Sequence, residues 1–381
     1  MVNNYLLLWF TRLTLYIFAV ATVCLYNNKK EFDITNKEGH IYMKDKLLRS
    51  FYALRMALSV LALTMLMAMN IGSAIADDTQ SKSILPEKIT IDYANWNILS
   101  LVLKNGGFLE DEFKKDNVEI QWVFSTGGNK GMEFLLSKSA DFAGSAQMPQ
   151  LLSFINGNPI TAIYVFYESR FAIVKGPNTN INSVKDLKGK NFAVTLSTGP
   201  HAYLLRALEA NGMDIKDLNV ISLQQADGNA MLLQGKVDAF VGGLLYRTLA
   251  EFGGGKVLYE NRDFTDFDLL NVRTEFLKEY PEAVYRVLAA YERARQWTKD
   301  NPEEFLKLIE KSLKVNSDVA KRLHELYNLS TNAINDKVTN NIIQTGLILQ
   351  KHGMIKKDVD VESSVHKLYN RSVFEEAQKR L

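Results

Sequence analysis

The sequence predicts an α/β fold: mostly parallel sheets flanked by helices, followed by a helical C-terminal tail. Three observations predict it. Short β-rich runs alternate with amphipathic helical runs from Ile89 to Glu260, the pattern of strands joined by crossover helices. From Glu275 onward the pattern becomes largely helical, with Pro281 and Pro302 marking starts and Gly353 a stop. The chain has 381 residues, and at about 150 residues per domain that length suggests two or three domains. A β/α half with a helical tail suits a chain that builds one lobe, crosses into a second and returns.

Taken in order, Ile89–Ala94 reads as a strand and Ile98–Lys104 as a helix stopped by Gly106 and Gly107. Val118–Phe124 is the next strand, and the turn Ser125–Gly128 leads into a helix through Leu136. Ala140–Ala146 is strand-like, Pro149–Asn156 helical and Ile160–Tyr167 a strong strand. Phe171–Lys175 and Asn191–Thr195 are strands, with one helical turn over Ser183–Leu187 between them. Pro200–Asn211 is a helix with Pro200 near its first position and Gly212 past its end, the expected asymmetry. Val220–Leu223, Asp238–Gly242 and Lys256–Glu260 complete the strands, separated by helices over Asn229–Gln234 and Leu245–Phe252.

Composition excludes several classes. Lys and Arg number 45 against 43 Asp and Glu, for a formal net charge of +2, and 23% of residues are charged. That balance is globular rather than disordered, and it lacks the basic excess of an electrostatic nucleic-acid binder. The single cysteine, Cys24, can form no internal disulfide and no thiolate zinc site.

The first quarter reads differently from the rest. Leu6–Tyr26 is apolar except for Arg12 and is long enough to span a bilayer, for which about 20 residues suffice. From Met43 a second pattern begins, with Lys44, Lys46, Arg49 and Arg55 outweighing Asp45. An uncharged run over Met56–Met69 follows, and small residues close it with Ala74 and Ala76 at A-x-A spacing. This is the order of a secretory signal peptide, cut after Ala76. Residues 1–42 are then either an upstream mis-start of the reading frame or a real membrane anchor; the complete signal order from Met43 favours the mis-start. Val23 before Cys24 argues against lipidation. Residues 1–76 hold eight basic and four acidic side chains, so the mature part carries 37 basic and 39 acidic groups, net −2, and no cysteine.

Motifs for catalysis or nucleotides are missing. Gly253–Lys256 resembles a phosphate loop, but position 250 is Ala and Val257 stands where Ser or Thr is required. Gly127–Gly131 lacks the spacing of a dinucleotide fingerprint, and Gly144–Ala146 misses the nucleophile elbow. His201, His324, His352 and His366 are scattered without ligand spacing, so no metal and no cofactor is expected. What recurs is the loop between strand end and helix start: Tyr93–Asn97, Ser125–Asn129, Gly144–Gln147 and Ser197–His201. Small and polar residues there are either helix N-caps or an anion site built from free N–H groups. Any one loop is best read as a cap; four together, two of them with Gly-Gly or Gly-Pro, point to a ligand cleft at the carboxyl ends of the strands.

The run Val184–Thr195 (VKDLKGKNFAVT), then Pro200–Leu208 (PHAYLLRAL), Leu223–Ala230 (LQQADGNA) and Gly235–Phe240 (GKVDAF), is not generic. With Tyr93–Asn97 (YANWN) and Gly157–Ile160 (GNPI), it resembles the periplasmic substrate-binding proteins of bacterial ABC importers, in the aliphatic sulfonate, nitrate and taurine group. The resemblance covers about Ile89–Gly242. It implies a two-lobe, type II-like periplasmic-binding-protein fold, with residues 77–172 as the first part of lobe 1, 173–269 as lobe 2, and 270–381 as the return to lobe 1 with C-terminal helices. Crossings are expected near Arg170–Lys175 and Phe267–Arg273. The implied ligand contacts are Trp96, Asn97, Ser125, Thr126, Gly127, Gly128, Asn129, Ser145 and Gln147 on one lobe, and Thr198, Gly199 and His201 on the other. The chain departs from the family pattern in lobe 2: Gly199 stands where relatives carry an acid before Pro-His, Asn229 where many carry Arg, and Phe240–Tyr246 lacks the usual Trp and acid-Pro.

The resulting expectation is an exported, non-catalytic, monomeric binding protein of the periplasm. It captures a small anionic organic solute, an aliphatic sulfonate first, and delivers it to an inner-membrane ABC permease with its ATPase; no nucleic-acid partner is expected. The alternatives are an enzyme on the same fold, such as a pyrimidine-precursor synthase, and a receptor subunit for a membrane sensor. The enzymes use cysteine- or histidine-rich sites, and the mature chain has no cysteine to offer.

Overall fold

The computed structural model describes residues 85–379. The extension expected over 1–42 and the signal peptide and cut site expected over 43–76 lie outside the described residues. Within them, two five-stranded sheets are flanked by helices. Both are laid down by the alternation of β-branched runs and amphipathic helices read above.

The first sheet has the order β2-β1-β3-β10-β4, from strands Lys88–Tyr93 (β1), Glu119–Phe124 (β2), Phe142–Ala146 (β3), Ile160–Ser169 (β4) and Asp266–Arg273 (β10). The second has the order β7-β6-β8-β5-β9, from Ala172–Lys175 (β5), Asn191–Val194 (β6), Asn219–Ser222 (β7), Ala239–Gly242 (β8) and Lys256–Tyr259 (β9). β1 runs parallel to β2 and β3, and β6 runs parallel to β7 and β8. One strand in each sheet is antiparallel to its neighbours: β10 between β3 and β4, and β5 between β8 and β9. These two are the strands that arrive from the other sheet. A chain leaving the carboxyl end of β4 has only Arg170 and Phe171 before β5 begins, so β5 must start where the other strands end and run away from it. The same holds for β10, entered from β9 through residues 260–265.

The changes of sheet therefore fall at 170–171 and 260–265. A boundary at 172/173 would split the first residue from β5. One at 269/270 would cut β10, which is in register with β3 and β4 from Asp266 to Arg273. The second crossing precedes Phe267–Arg273, a segment that lies inside the first sheet because its apolar side chains Phe267, Leu269, Leu270 and Val272 are wholly buried there.

The helices are Ile98–Asn105 (α1), Phe108–Phe113 (α2), Gly128–Leu136 (α3), Gln147–Ile155 (α4), Gly199–Ala210 (α5), Gln225–Leu233 (α6) and Leu244–Phe252 (α7). The C-terminal set is Thr274–Glu279 (α8), Pro281–Asp300 (α9), Pro302–Leu313 (α10), Ser317–Leu326 (α11), Asp336–Lys351 (α12), Val361–Leu368 (α13) and Arg371–Gln378 (α14). α6 starts four residues earlier than Asn229, because Gln225–Gly228 continues the helical turn although Gly228 reads as a breaker; a Cβ added to Gly228 would stand 3.4 Å from the Ala193 Cβ. Arg295 of α9 is buried and donates to the carbonyls of Val165 (2.7 Å) and Phe166 (2.8 Å) and to the Tyr164 hydroxyl (2.8 Å), clamping α9 onto β4. Among the described residues no helix is long and apolar enough to cross a membrane.

Candidate functional site

Because all strands but the two crossing ones run toward the same seam, the carboxyl ends of both sheets border one cavity. Its empty space, open solvent at the mouth included, is about 590 Å³. Trp96 follows β1, Thr126–Gly128 follow β2, Ala146 ends β3 and Pro149 follows it. Tyr167, Ser169 and Phe171 come from the end of β4 and the first crossing, and Asp268 from β10. The second sheet contributes Thr195 and Thr198–Pro200, Gln224 and Gln225, and Gly243–Tyr246.

Four helices open onto this cavity: α3, α5, α6 and α7. Their N-cap residues are Gly127, Thr198, Gln224 and Gly243, and none bonds its own first turn through a side chain. The Thr198 hydroxyl donates backward to the Thr195 carbonyl instead. Asn97, Asn316, Asn335 and Asp360 cap α1, α11, α12 and α13, whereas α2, α4, α8, α9, α10 and α14 also lack a side-chain cap. It is the convergence of the four ends on one cavity, not the missing caps, that distinguishes them. Unsatisfied N–H groups and aligned peptide dipoles make the cavity rim electropositive without any basic side chain. Among the described lining residues there is no Arg or Lys, and the one carboxyl is Asp268. The Nε1 of Trp96 is buried with no partner in the protein, a further donor on the wall.

Of the residues expected at the site, Trp96, Thr126, Gly127, Gly128, Thr198 and Gly199 line the cavity. Of the other six, five bond within the protein and Asn129 does not. Asn97 caps α1, its Oδ1 accepting from the Ser100 N–H at 3.2 Å. The Ser125 hydroxyl donates to Asp92 Oδ2 at 2.7 Å, and Ser145 Oγ accepts from Asn271 Nδ2 at 3.2 Å. Gln147 turns its amide toward the C-terminal helices, donating to the Val338 carbonyl at 3.1 Å. His201 Nδ1 accepts from the Ser197 N–H at 3.2 Å, satisfying a residue held at φ 58°. Asn129 stands behind Gly127, its Oδ1 buried without a partner.

Two buried acids organise the floor. Asp92 accepts from Ser125 and from the Gly144 N–H (2.8 Å), tying β1 to the loop after β2 and to β3; burial pushes its carboxyl up to about 7. Asp268 faces Tyr167 in the β10–β4 register and accepts from the Ser169 hydroxyl. Burial, and then the neighbouring Asp266, push it up to about 7 as well. Sequence reading missed Tyr167, Phe171, Asp268, Gln224, Gln225 and Gly243–Tyr246. Tyr167 and Asp268 depend on a pairing across about a hundred residues, and Phe171 lies in the crossing between the sheets; the Gly-Gly that precedes α7 was a readable signal of the same kind as Gly127-Gly128. Gly199 explains one departure from the family pattern. A Cβ there would stand 2.8 Å from Asp266 Oδ2 and 2.9 Å from both Ala146 Cβ and Phe171 Cζ, so an acid has no room.

The chain is 26% identical over 285 residues to a putative aliphatic sulfonates-binding protein of Bacillus subtilis (strain 168), covering 72% of this chain and 85% of that one. It is likewise 26% identical over 287 residues to the protein of the same description from Escherichia coli (strain K12), covering 74% and 89%. The fold matches the alkanesulfonate-binding protein SsuA of Xanthomonas axonopodis pv. citri, solved bound to MOPS, with a TM-score of 0.66 at 20% identity over 73% of this chain and 98% of that one. Residues 104–305, more than half of the chain, match the family described as NMT1/THI5 like, and the chain belongs to that family.

Proposed function

We propose that this chain is an exported, non-catalytic solute-binding protein that holds a small organic anion between its two lobes and delivers it to an ABC permease with its ATPase. An aliphatic sulfonate leads the candidates, in line with the names of the relatives. The observation that carries the reading is the convergence of four helix N-termini without side-chain caps on one cavity, a recognition surface for an acidic oxygen cluster. Trp96, Thr126, Gly127, Gly128, Thr198 and Gly199 are the proposed contacts. The aliphatic part of the solute would lie against the Trp96, Tyr167, Phe171 and Leu244 side chains.

Residues 170–171 and 260–265 are the only covalent links between the sheets among the described residues, so they are the hinge, and solute contacts from both sides favour the closed form. Closure would then be what the permease reads. Isothermal titration against alkanesulfonates, taurine and nitrate tests the solute class; an absence of heat from all of them removes it and leaves the fold. Incubation with a bound sulfonate followed by assay for released sulfite tests the enzymatic alternative. Export is tested by N-terminal sequencing of the native protein: a start near residue 77 supports it, whereas residues 1–42 retained in the membrane fraction refute cleavage.

A further inference from the structure

The order of strands fixes which parts of the cleft meet only on closing. The crossings join β4 to β5 and β9 to β10, and these four strands lie toward one edge of their sheets. β2 and β7 hold the opposite edges, farthest from the hinge. Rotation about a hinge displaces those edges most, so a contact between the segments after β2 and after β7 is made on closing and lost on opening. Gln224, the N-cap of α6 after β7, makes such a contact with Gly127, the N-cap of α3 after β2. A Cβ on Gly127 would stand 2.9 Å from Gln224 Oε1. Gly127 is extended at φ −175°, a conformation open to any residue, so its missing side chain provides space, and the Gln224 carboxamide fills it. Asn129 Oδ1 stands 2.9 Å from the same point, buried and without a partner. The Gln224 carboxamide is likewise unbonded among the described residues. A half-turn about its last side-chain bond exchanges Oε1 for Nε2 and presents a donor to the Asn129 acceptor. An acceptor buried without a bond is costly, so closure gains from making this one.

We propose that Gln224 and Asn129 form a clasp across the mouth of the cleft, an amide–amide hydrogen bond over Gly127 that exists only in the closed form and helps retain the solute. The inference rests on the solute binding and hinge closure proposed above, and it adds a pair of positioning residues that act through each other rather than through the solute.

Isothermal titration of the purified protein with propane-1-sulfonate reads the clasp as a double-mutant cycle. Gln224→Met, which keeps the side-chain length and drops the amide, and Asn129→Ala are each expected to weaken binding about three- to tenfold. The double variant is expected to bind within about twofold of the weaker single one, because each change removes the same bond. Losses that multiply in the double variant overturn the clasp, since Gln224 then acts without Asn129; so does Gln224→Met binding as tightly as the unmodified protein. A crosslink reads the same meeting without any solute. In a Cys24→Ser chain carrying Asn129→Cys and Gln224→Cys, a short bismaleimide is expected to join residues 129 and 224 within one molecule, detected as a linked peptide by mass spectrometry. If propane-1-sulfonate does not bind, the sulfonate reading is what fails, and the crosslink decides the clasp, as it does if a cycle variant fails to fold. The linked peptide then sustains the clasp, and its absence overturns it.

Discussion

Replacing Gly199 with alanine should wedge the lobes apart while leaving each lobe's own core intact. Gly199 is the first residue of α5, in the second sheet's half of the molecule, whereas Ala146 and Asp266 belong to the first sheet and Phe171 to the crossing. An added Cβ would meet atoms of these three residues at 2.8 to 2.9 Å, against about 3.5–4.0 Å for a relaxed carbon contact. The Asp266 carboxylate and the Phe171 ring can rotate, but the Ala146 methyl is fixed to its backbone and can yield only if the strand end or α5 moves. Overpacking of this kind costs about 1–3 kcal/mol; with the hinge closure proposed above, it falls on the closed form, and affinity should fall by about 5- to 150-fold. Gly199 has no positive φ, so alanine suits its backbone, and the ligand-free protein should melt at the same temperature or slightly higher. Isothermal titration with the tightest sulfonate, paired with the radius of gyration by small-angle scattering at saturation, reads both effects. Unchanged affinity together with an unchanged compact radius would refute the wedge and, with it, the assignment of Gly199 to the closing surface.

Three further outcomes are expected. Trp96→Ala should weaken solute binding by at least about tenfold, the scale of a buried aromatic anchor, with little change in the urea midpoint; titration and denaturation curves together check it. Arg295→Met should lower the urea midpoint by the equivalent of about 3–5 kcal/mol, because it orphans the Val165 and Phe166 carbonyls that the guanidinium satisfies. His201 is held down to about 4 by burial and then by His352, so it is neutral in the folded protein. With its folded pKa below the unfolded value of 6.5, its contribution is complete above that value and is lost as pH falls through 4, up to about 3 kcal/mol. His201→Asn, which keeps an acceptor for the Ser197 N–H, should flatten the stability profile between pH 6.5 and 4; an identical profile in urea titrations would count against it.

Most of the fold was legible because the strands of the β/α series are bounded by glycine, proline or a polar loop, and most of its helices carry an amphipathic period. Two elements escaped, for different reasons. β10 contains Asp266 and Asp268, both buried, and acids in a short apolar run read as a loop or crossing rather than as a central strand. Only pairing on both sides, with β3 and β4, makes that position habitable, with Ser169, the Gln147 N–H and the Phe267 N–H supplying the acids' partners. α2 escaped notice because six residues between Gly107 and Lys114 are too few to show a period.

The site divided along a similar line. Its loops could be found from their composition, since glycine and small polar residues at a strand-to-helix junction mark a helix N-terminus open to an anion. Which side chain in each loop faces the cleft could not, because neighbouring residues turn to opposite sides of the junction. Thr126 lines the cavity while Ser125 beside it bonds Asp92, and Trp96 lines it while Asn97 caps α1. By itself the sequence determined the alternating α/β class, the family and the set of loops that carry the cleft, all of them local or collinear properties of the chain. Tertiary structure alone decided the antiparallel crossing strands, the helix ends meeting in one cavity and the placement of Asp268 on its wall. Each of those depends on segments brought together from distant parts of the chain, and no local pattern encodes such a meeting.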